Sequence, residues 1–470
     1  MGNIRVRFAP SPTGNLHLGS ARTALYNWLF AKHHGGDFIV RIEDTDFLRS
    51  APEFEQSILE DLSWLGLNYD EGPGKGGFGP YRQSRRLSLY KSKAKQLVAD
   101  GKAYYCYCGE QSKVDSVNKK TCNCLGLDGR DQLDASAKGV NPAIRFRVPK
   151  EKIVIDDIVY GPTEFDTANI KDFIILRGNG MPTFHLSVVV DDAEMKISHV
   201  IRGNDHLPNT PKHILLFKAL GYDIPKFAHH SLIMGSDGGK LSKRHGATAV
   251  FQYREAGYLH EAVINYLALL SWTPAGEQEI FKPEELMQYF SLEKLSKSPA
   301  IFDIGKLNWI NGQHIRSYPL EELTQMAIPF LAKDEVKKVS REWLIKMVEA
   351  TRDDYITLAD AKVQSELFFK PLKITKEAKQ WLEKDTSKAV LAKLVEVLGA
   401  SRVDNNDEAR AVLKSLSKEM KEQGIKGKDV FMPVRCALTG KTEGPELFYI
   451  FVLFGKQKSI KRIESAAKVG

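Results

Sequence analysis

Ile4–Phe8 alternates apolar side chains with arginine, the period-two pattern of a strand, and a loop rich in Pro, Ser, Thr and Gly follows it. Apolar residues then recur at helical spacing from Leu18 to His33, where Gly35-Gly36 stops the helix. Asp37–Ile42 reads as a second strand, with the acidic run Glu43-Asp44-Thr45-Asp46 at its end. A strand, loop, helix and strand in this order predict a parallel unit, which binds ligands beyond the carboxyl ends of its strands. The PSPTGNLHLGS loop and the EDTD segment both fall there.

Between Pro80 and Thr183 the apolar runs shorten to stretches such as Ala143–Val148 and Phe173–Leu176, interleaved with cysteines and a polar loop, which we read as an insertion. Buried-strand patterns return at Val188–Asp192 and Ile197–Gly203, followed by a helix over Pro211–Leu220 and a strand at Ser231–Met234. From Tyr258 onward the pattern is helical, with segments at Val263–Leu270, Glu342–Thr351, Asp354–Phe369, Lys376–Leu398 and Asp407–Glu422. Loops are expected at Pro274–Glu279 and Asn311–Tyr318. The fold class expected is α/β: a Rossmann-like parallel-sheet domain with an α+β insertion, followed by an all-α C-terminal region.

Composition narrows the field. Of the 470 residues 43% are hydrophobic and 27% charged, too apolar for disorder. No apolar run reaches the ~18–20 residues of a membrane span, and the N-terminal stretch lacks the apolar core of a signal peptide, so a cytoplasmic protein is expected. The net charge is +8, and residues 316–470 hold 29 basic against 23 acidic side chains, so the excess concentrates in the helical third and points to an anionic partner. Five cysteines are too few and too clustered for a secreted disulfide framework.

Three constellations carry chemistry. In Pro10–Ser20 the loop runs into a helix N-terminus, which offers unpaired N–H groups to phosphate; Gly19 admits a flat ring or a phosphate, and His17 has a proton to donate. Lys240-Leu241-Ser242-Lys243-Arg244 follows Gly235-Ser236-Asp237-Gly238-Gly239, a glycine-bracketed cationic loop suited to closing over a triphosphate. Alone, the first is as readily a plain loop and the second a solvated basic loop; together in one α/β domain they reinforce each other. Cys106-x-Cys108 and Cys122-x-Cys124 suit a tetrahedral zinc site, one ion per chain, with four reduced thiols as the alternative. Cys436, in an apolar stretch, reads as a core residue.

The pairing of P-S-P-T-G-x-L-H-x-G-x with K-L-S-K-R resembles the class I aminoacyl-tRNA synthetases. RFAPSPTG, RIEDTD, VVVDD, HVIRG and KLSKRHG together resemble the bacterial-type glutamyl-tRNA synthetases, densely from Ile4 to Gly312 and more thinly beyond. The resemblance implies a ligase that activates L-glutamate with ATP and passes it to the terminal adenosine of tRNA(Glu), with tRNA(Gln) as a further possible acceptor, working as a monomer. It implies catalytic roles for His17, Gly19 and Lys243, ATP binding by Ser11, His17, Gly19, Lys240 and Lys243, and glutamate binding by Arg7, Glu43, Arg202 and the residue at Phe184. Magnesium would arrive with ATP, held by its phosphates. Metal ligands would be Cys106, Cys108, Cys122 and Cys124. Implied domain bounds are 1–83 and 184–245 for the two halves of the catalytic domain, 84–183 for an acceptor-end insertion, 246–315 for a stem-contact domain and 316–470 for the anticodon-binding region. Arg352, Lys362, Arg402, Arg435, Lys456 and Arg462 are candidates for contacting RNA, each also readable as part of a solvated helix face.

One position departs from the pattern. Pro182-Thr183-Phe184-His185 stands where the family has Pro-Thr-Tyr, whose hydroxyl reads the amino acid, so His185 or another group is expected to substitute. Within the class a glutaminyl enzyme or a tRNA-modifying paralogue is the competing reading, and outside it a small-molecule nucleotidyltransferase or an RNA-binding protein without catalysis. The long helical tail argues against the paralogue and the nucleotidyltransferase, and intact His17, Gly19 and Lys243 argue against lost catalysis.

Overall fold

The computed structural model describes residues 3–108, 124, 141–239, 241–242, 244 and 246–468. It divides into two compact units, Met1–Arg254 with His260–Leu307, and Glu255–Leu259 with Asn308–Gly470.

In the first unit β1 (Arg5–Phe8) and β2 (Asp37–Val40) pair in parallel, joined through α1 (Leu18–His33). The other edge of β1 meets the chain entering β8 (His199–Gly203): the Ser198 backbone N–H donates to the Arg5 carbonyl at 2.9 Å. A second sheet has the order β6-β5-β9-β8, in which β8 and β9 (Lys226–His230) are parallel and bracket α5 (Thr210–Leu220). The hairpin of β5 (Lys152–Asp157) and β6 (Gly161–Asp166) joins this sheet where Asp157 pairs with Phe227. An antiparallel sheet of β3 (Ala103–Cys106), β4 (Ala143–Phe146) and β7 (Phe173–Leu176) completes the segment expected as an insertion. Tyr90 and Leu97 of α3 (Leu87–Ala99), Phe146, Ile153, Leu215 and Phe217 share one buried cluster, so this segment, α5 and the four-stranded sheet are held by common apolar contacts.

Val188–Asp192, expected as a strand, lies inside a helix, α4 (Phe184–Glu194). Leu186 through Asp192 are all buried, and an apolar run enclosed on every side carries no period to separate helix from strand. Of the expected strand Ser231–Met234 only β10 (Ile233–Met234) forms, paired with β11 (Ala300–Ile301), and the sheet strand beside it is the earlier β9.

The second unit is helical throughout its described residues. Asn311–Tyr318 is not a loop: helix Ile304–Ser317 runs through it. Asn311 spends its amide on the Leu259 N–H and the Ile356 carbonyl, at 2.9 and 2.5 Å, and a Cβ on Gly312 would lie 3.1 Å from the Arg316 guanidinium. These residues serve close packing here, not a turn. The expected helix Asp354–Phe369 begins only at Asp360, whose carboxylate accepts the Ile356 and Thr357 N–H groups. Lys376–Leu398 divides into helices Lys376–Leu382 and Asp385–Ala400. Cys436 is fully buried, as expected. Arg462, buried, donates to the carbonyls of Leu438, Leu367 and Lys370 and so ties helix ends together, while the partly exposed Arg435 donates to those of Gly444 and Pro445. No helix among the described residues is long and apolar enough to cross a membrane.

One buried charge gives a pH signature. Asp61, on the helix Pro52–Trp64, is fully buried, and burial pushes its carboxyl up to about 6 although Arg254 approaches to 3.8 Å. A carboxyl with a folded-state pKa above its unfolded one binds its proton more tightly when folded, so its contribution favours folding below about pH 4 and is lost as the pH rises to about 6. Between pH ~4 and ~7 the unfolding free energy of wild type relative to Asp61→Asn should fall by roughly 2 kcal/mol, measured by urea titration at each pH. A constant difference across that range would refute the assignment.

Candidate functional site

A cavity of about 590 Å³ opens at the carboxyl ends of β1, β8 and β9, within the size range of small-molecule sites. Strand β1 contributes Arg7 and Phe8 and the loop leaving it Pro10 and Ser11; the start of α1 contributes His17 and Gly19; the segment after β2 contributes Glu43. Arg202 and Gly203 come from the end of β8, and Phe184 and Val188, four apart on α4, form an apolar wall. Ser11, His17, Gly19, Arg7, Glu43, Arg202 and Phe184, singled out from the sequence, therefore line one cavity. Lys240 and Lys243 lie outside the described residues. Their neighbour Leu241 lines the cavity, and Arg244 pairs with Asp237 at 2.5 Å.

His17 is the N-cap of α1. Its Nδ1 accepts the Gly19 N–H at 3.2 Å, and burial keeps the ring below the usual histidine pKa. A neutral ring whose Nδ1 accepts must carry its proton on Nε2, so a hydrogen-bond donor is ready beside a helix N-terminus. The backbone around His17 is clamped to the chain that follows the KLSKR segment: Leu18 N–H donates to the Thr248 carbonyl and Val250 N–H to the Leu16 carbonyl, each at 2.9 Å. Two stretches about 230 positions apart in sequence thus meet at the cavity rim.

Behind the rim lies a buried ionic network. Arg7 donates through Nε to Asp192 at 3.1 Å, and Arg41 bridges Asp192 at 2.6 Å and Glu43 at 3.1 Å. Asp191 takes Arg86 at 2.7 Å, Gln83 at 2.8 Å and the Tyr90 hydroxyl at 2.8 Å. Burial opposes the charge on Asp192, but Arg7 and Arg41 outweigh it and hold the carboxyl below its usual range. For Glu43 burial prevails over Arg41, and its carboxyl is pushed up.

Arg202 is built differently. It is 6% exposed, and its described partners are neutral: His229 Nε2 at 3.1 Å, the Thr210 hydroxyl at 2.8 Å and His213 Nδ1 at 3.3 Å. No carboxylate among the described residues comes within ion-pair distance of it. Burial, and then the charge of Arg7, bring its pKa down to about 9. A desolvated guanidinium without a counter-ion is a site for an anion. His185, considered as a stand-in for a tyrosine hydroxyl, points elsewhere: its Nδ1 meets His213 Nε2 at 3.1 Å and it does not line the cavity.

Arg22 was missed by the sequence reading. It lines the cavity, is 1% exposed, and donates to Ser271 Oγ at 2.8 Å and to the Ser231 carbonyl. Its signal was present, for Leu18, Arg22, Leu25 and Leu29 share one helix face, and a cation on an otherwise apolar stripe is either paired or functional.

The Sγ atoms of Cys106, Cys108 and Cys124 lie within 4.8 Å of one another, and Cys122 lies outside the described residues. Zn–S bonds of ~2.3 Å give sulfur–sulfur edges near ~3.8 Å, against 3.5 Å for Cys108 and Cys124. Donors already face the sulfurs: the Tyr107 N–H lies 3.3 Å from Cys124 Sγ and Arg145 Nε 3.5 Å from Cys106 Sγ. The three sulfurs fit a thiolate-bound zinc.

Residues 3–309 match the family model of the class I tRNA synthetase (E and Q) catalytic domain, and residues 322–467 match an anticodon binding domain. The chain is 47% identical over 480 residues to glutamate–tRNA ligase 1 of Caldicellulosiruptor saccharolyticus, covering 98% of each. It is 44% identical to the glutamate–tRNA ligase of Desulforamulus reducens, covering 99% of this chain and all of that one. A crystal structure of a glutamate tRNA ligase from Elizabethkingia meningosepticum in complex with its amino acid superposes with a TM-score of 0.90 at 32% identity, covering 99% of both chains. With a catalytic-domain match over more than half its length and full-length relatives of this kind, the chain belongs to the class I tRNA synthetases of the E and Q type.

Proposed function

We infer that this chain is a glutamate–tRNA ligase, and that the cavity is where glutamate and ATP meet. The observation that carries the reading is the charge pattern: of the charged groups lining the cavity, Arg22 donates to Ser271 and Ser231 and Asp205 also lies in the lining, while the guanidinia of Arg7 and Arg202 and the carboxyl group of Glu43 face the cavity beside a helix N-terminus. Glutamate brings the complement, two carboxylates and one ammonium. Arg202, without a counter-ion, takes one carboxylate, Arg7 supports the anionic end, and Glu43 takes the ammonium, whose charge favours the ionised carboxylate against the burial that opposes it.

In the first step a carboxylate oxygen of glutamate attacks the α-phosphorus of ATP and pyrophosphate leaves. In the second a ribose hydroxyl of the terminal adenosine of tRNA displaces AMP. His17 Nε2–H donates to a phosphate oxygen as charge develops there, Gly19 leaves room for the adenine, and Ser11 at the rim contacts a phosphate. Lys240 and Lys243, outside the described residues, are assigned to the phosphates and the departing pyrophosphate. Magnesium bound to the ATP phosphates neutralises part of their charge. We extend the reading to an acceptor-end role for 84–183 and a stem-contact role for 246–315, and to a monomer in the cytoplasm; the monomer is tested by light scattering with and without tRNA.

Charging assays test the function. Labelled glutamate should load onto a tRNA(Glu) transcript in an ATP-dependent reaction, and a tRNA(Gln) transcript assayed beside it reads whether that tRNA is also a substrate. Glutamine loaded in place of glutamate would overturn the roles of Arg7 and Arg202. For the metal, elemental analysis should find one zinc per chain, lost in Cys108→Ser. Zinc-free protein with reactive thiols at 106, 108 and 124 would refute the zinc assignment.

A further inference from the structure

Asp157 and His229 lie behind Arg202, on neighbouring strands of the four-stranded sheet, and neither lines the cavity. Asp157 Oδ2 is 2.6 Å from His229 Nδ1, and both side chains are fully buried. The same carboxylate accepts the backbone N–H groups of Val159 at 3.0 Å, Tyr160 at 2.9 Å and His229 at 3.2 Å. Burial opposes its ionisation, but the bonds from His229 and the backbone outweigh that and keep it a carboxylate, while burial keeps His229 neutral. A carboxylate only accepts, so the single proton of the neutral ring must sit on Nδ1. The bare Nε2 then faces Arg202, whose Nε–H donates to it at 3.1 Å.

We propose that Asp157 is a positioning residue for glutamate binding: it fixes the tautomer of His229, which accepts the Arg202 Nε–H and, together with Thr210 and His213, holds the guanidinium in place to meet the substrate carboxylate. The inference rests on the assignment of Arg202 to glutamate given above. It also gives the β5–β6 hairpin a part in amino-acid recognition. If the proton moved to Nε2, the imidazole and Arg202 would face each other donor to donor, and the guanidinium would have to turn.

The experiment is glutamate-dependent pyrophosphate exchange, run with tRNA present, on wild type, Asp157→Asn, His229→Gln, the double variant and Arg202→Ala. Asparagine at 157 offers an N–H to the ring and so favours the wrong tautomer. Glutamine at 229 offers Arg202 a carbonyl oxygen that needs no tautomer. Asp157→Asn should raise the KM for glutamate roughly 10-fold, with kcat and the KM for ATP within about twofold. In the His229→Gln background the same change should cost less than about twofold, because the acceptor there no longer depends on Asp157. A merely structural role, through the three backbone bonds, predicts equal losses in both backgrounds, and that result overturns the proposal.

Nitrogen-15 histidine spectra of the full chain give a readout apart from turnover. His229 should carry its proton on Nδ1 in wild type and on Nε2 in Asp157→Asn, and an unchanged tautomer refutes the mechanism. If Asp157→Asn does not fold, His229→Gln against His229→Leu decides: glutamine should hold the KM within about threefold and leucine should not, and equal values refute the proposal. Should Arg202→Ala leave the glutamate KM unchanged, it is the assignment of Arg202 that fails.

Discussion

Arg202→Ala should lower kcat/KM for glutamate on the order of 100- to 1,000-fold in pyrophosphate exchange with tRNA present, while leaving the KM for ATP near its wild-type value. The size follows from how the side chain is held. A buried guanidinium whose neighbours are His229, Thr210 and His213 has given up its hydration without gaining a counter-charge, and the substrate carboxylate supplies one. Removing it strands that carboxylate in a desolvated pocket. Arg202→Lys keeps the charge but loses the planar fork, so it should fall between wild type and alanine. A KM for glutamate within about threefold of wild type in Arg202→Ala would place the carboxylate elsewhere.

His17→Ala should act on the chemical step, lowering kcat of adenylate formation roughly 100- to 1,000-fold with the KM for glutamate little changed. Two functions are lost together, because the ring caps α1 through Nδ1 and presents Nε2–H to the cavity. The cap contributes about 1 kcal/mol of stability, which thermal unfolding reads separately. His17→Asn separates them further: its carbonyl caps the helix and its amide still donates, so it should recover both the melting temperature and part of the rate. If alanine and asparagine were equally active, the imidazole proton would have no role in turnover.

The elements nearest the cavity could be read from sequence where polar residues or glycine punctuate the apolar run. Strand β1 and helix α1, both largely buried, were legible because arginine alternates with apolar residues in β1 and Gly35-Gly36 follows the end of α1. Helix α4 was not, since burial on all sides erased the alternation that distinguishes its period. The phosphate-side residues were readable from local spacing in one loop. Contacts such as Asp157 with His229, separated by 72 positions, leave no local trace, and only the sheet brings them together. Arg22 lay between these cases, visible as a cation on an apolar stripe but without a spacing that names its partner.

Helix α4 carries both Phe184 and Val188 on the cavity wall and Asp191 and Asp192 in the buried ionic network. Sliding or rotating this helix to reshape the wall would break Arg7, Arg41 and Arg86 from their carboxylates in the same motion. In evolutionary terms, amino-acid preference in this scaffold can drift by exchange of side chains at 184 and 188, while movement of the backbone beneath them is closed to selection. Phe184, standing where the resemblance implied a tyrosine, is the kind of exchange such a wall permits.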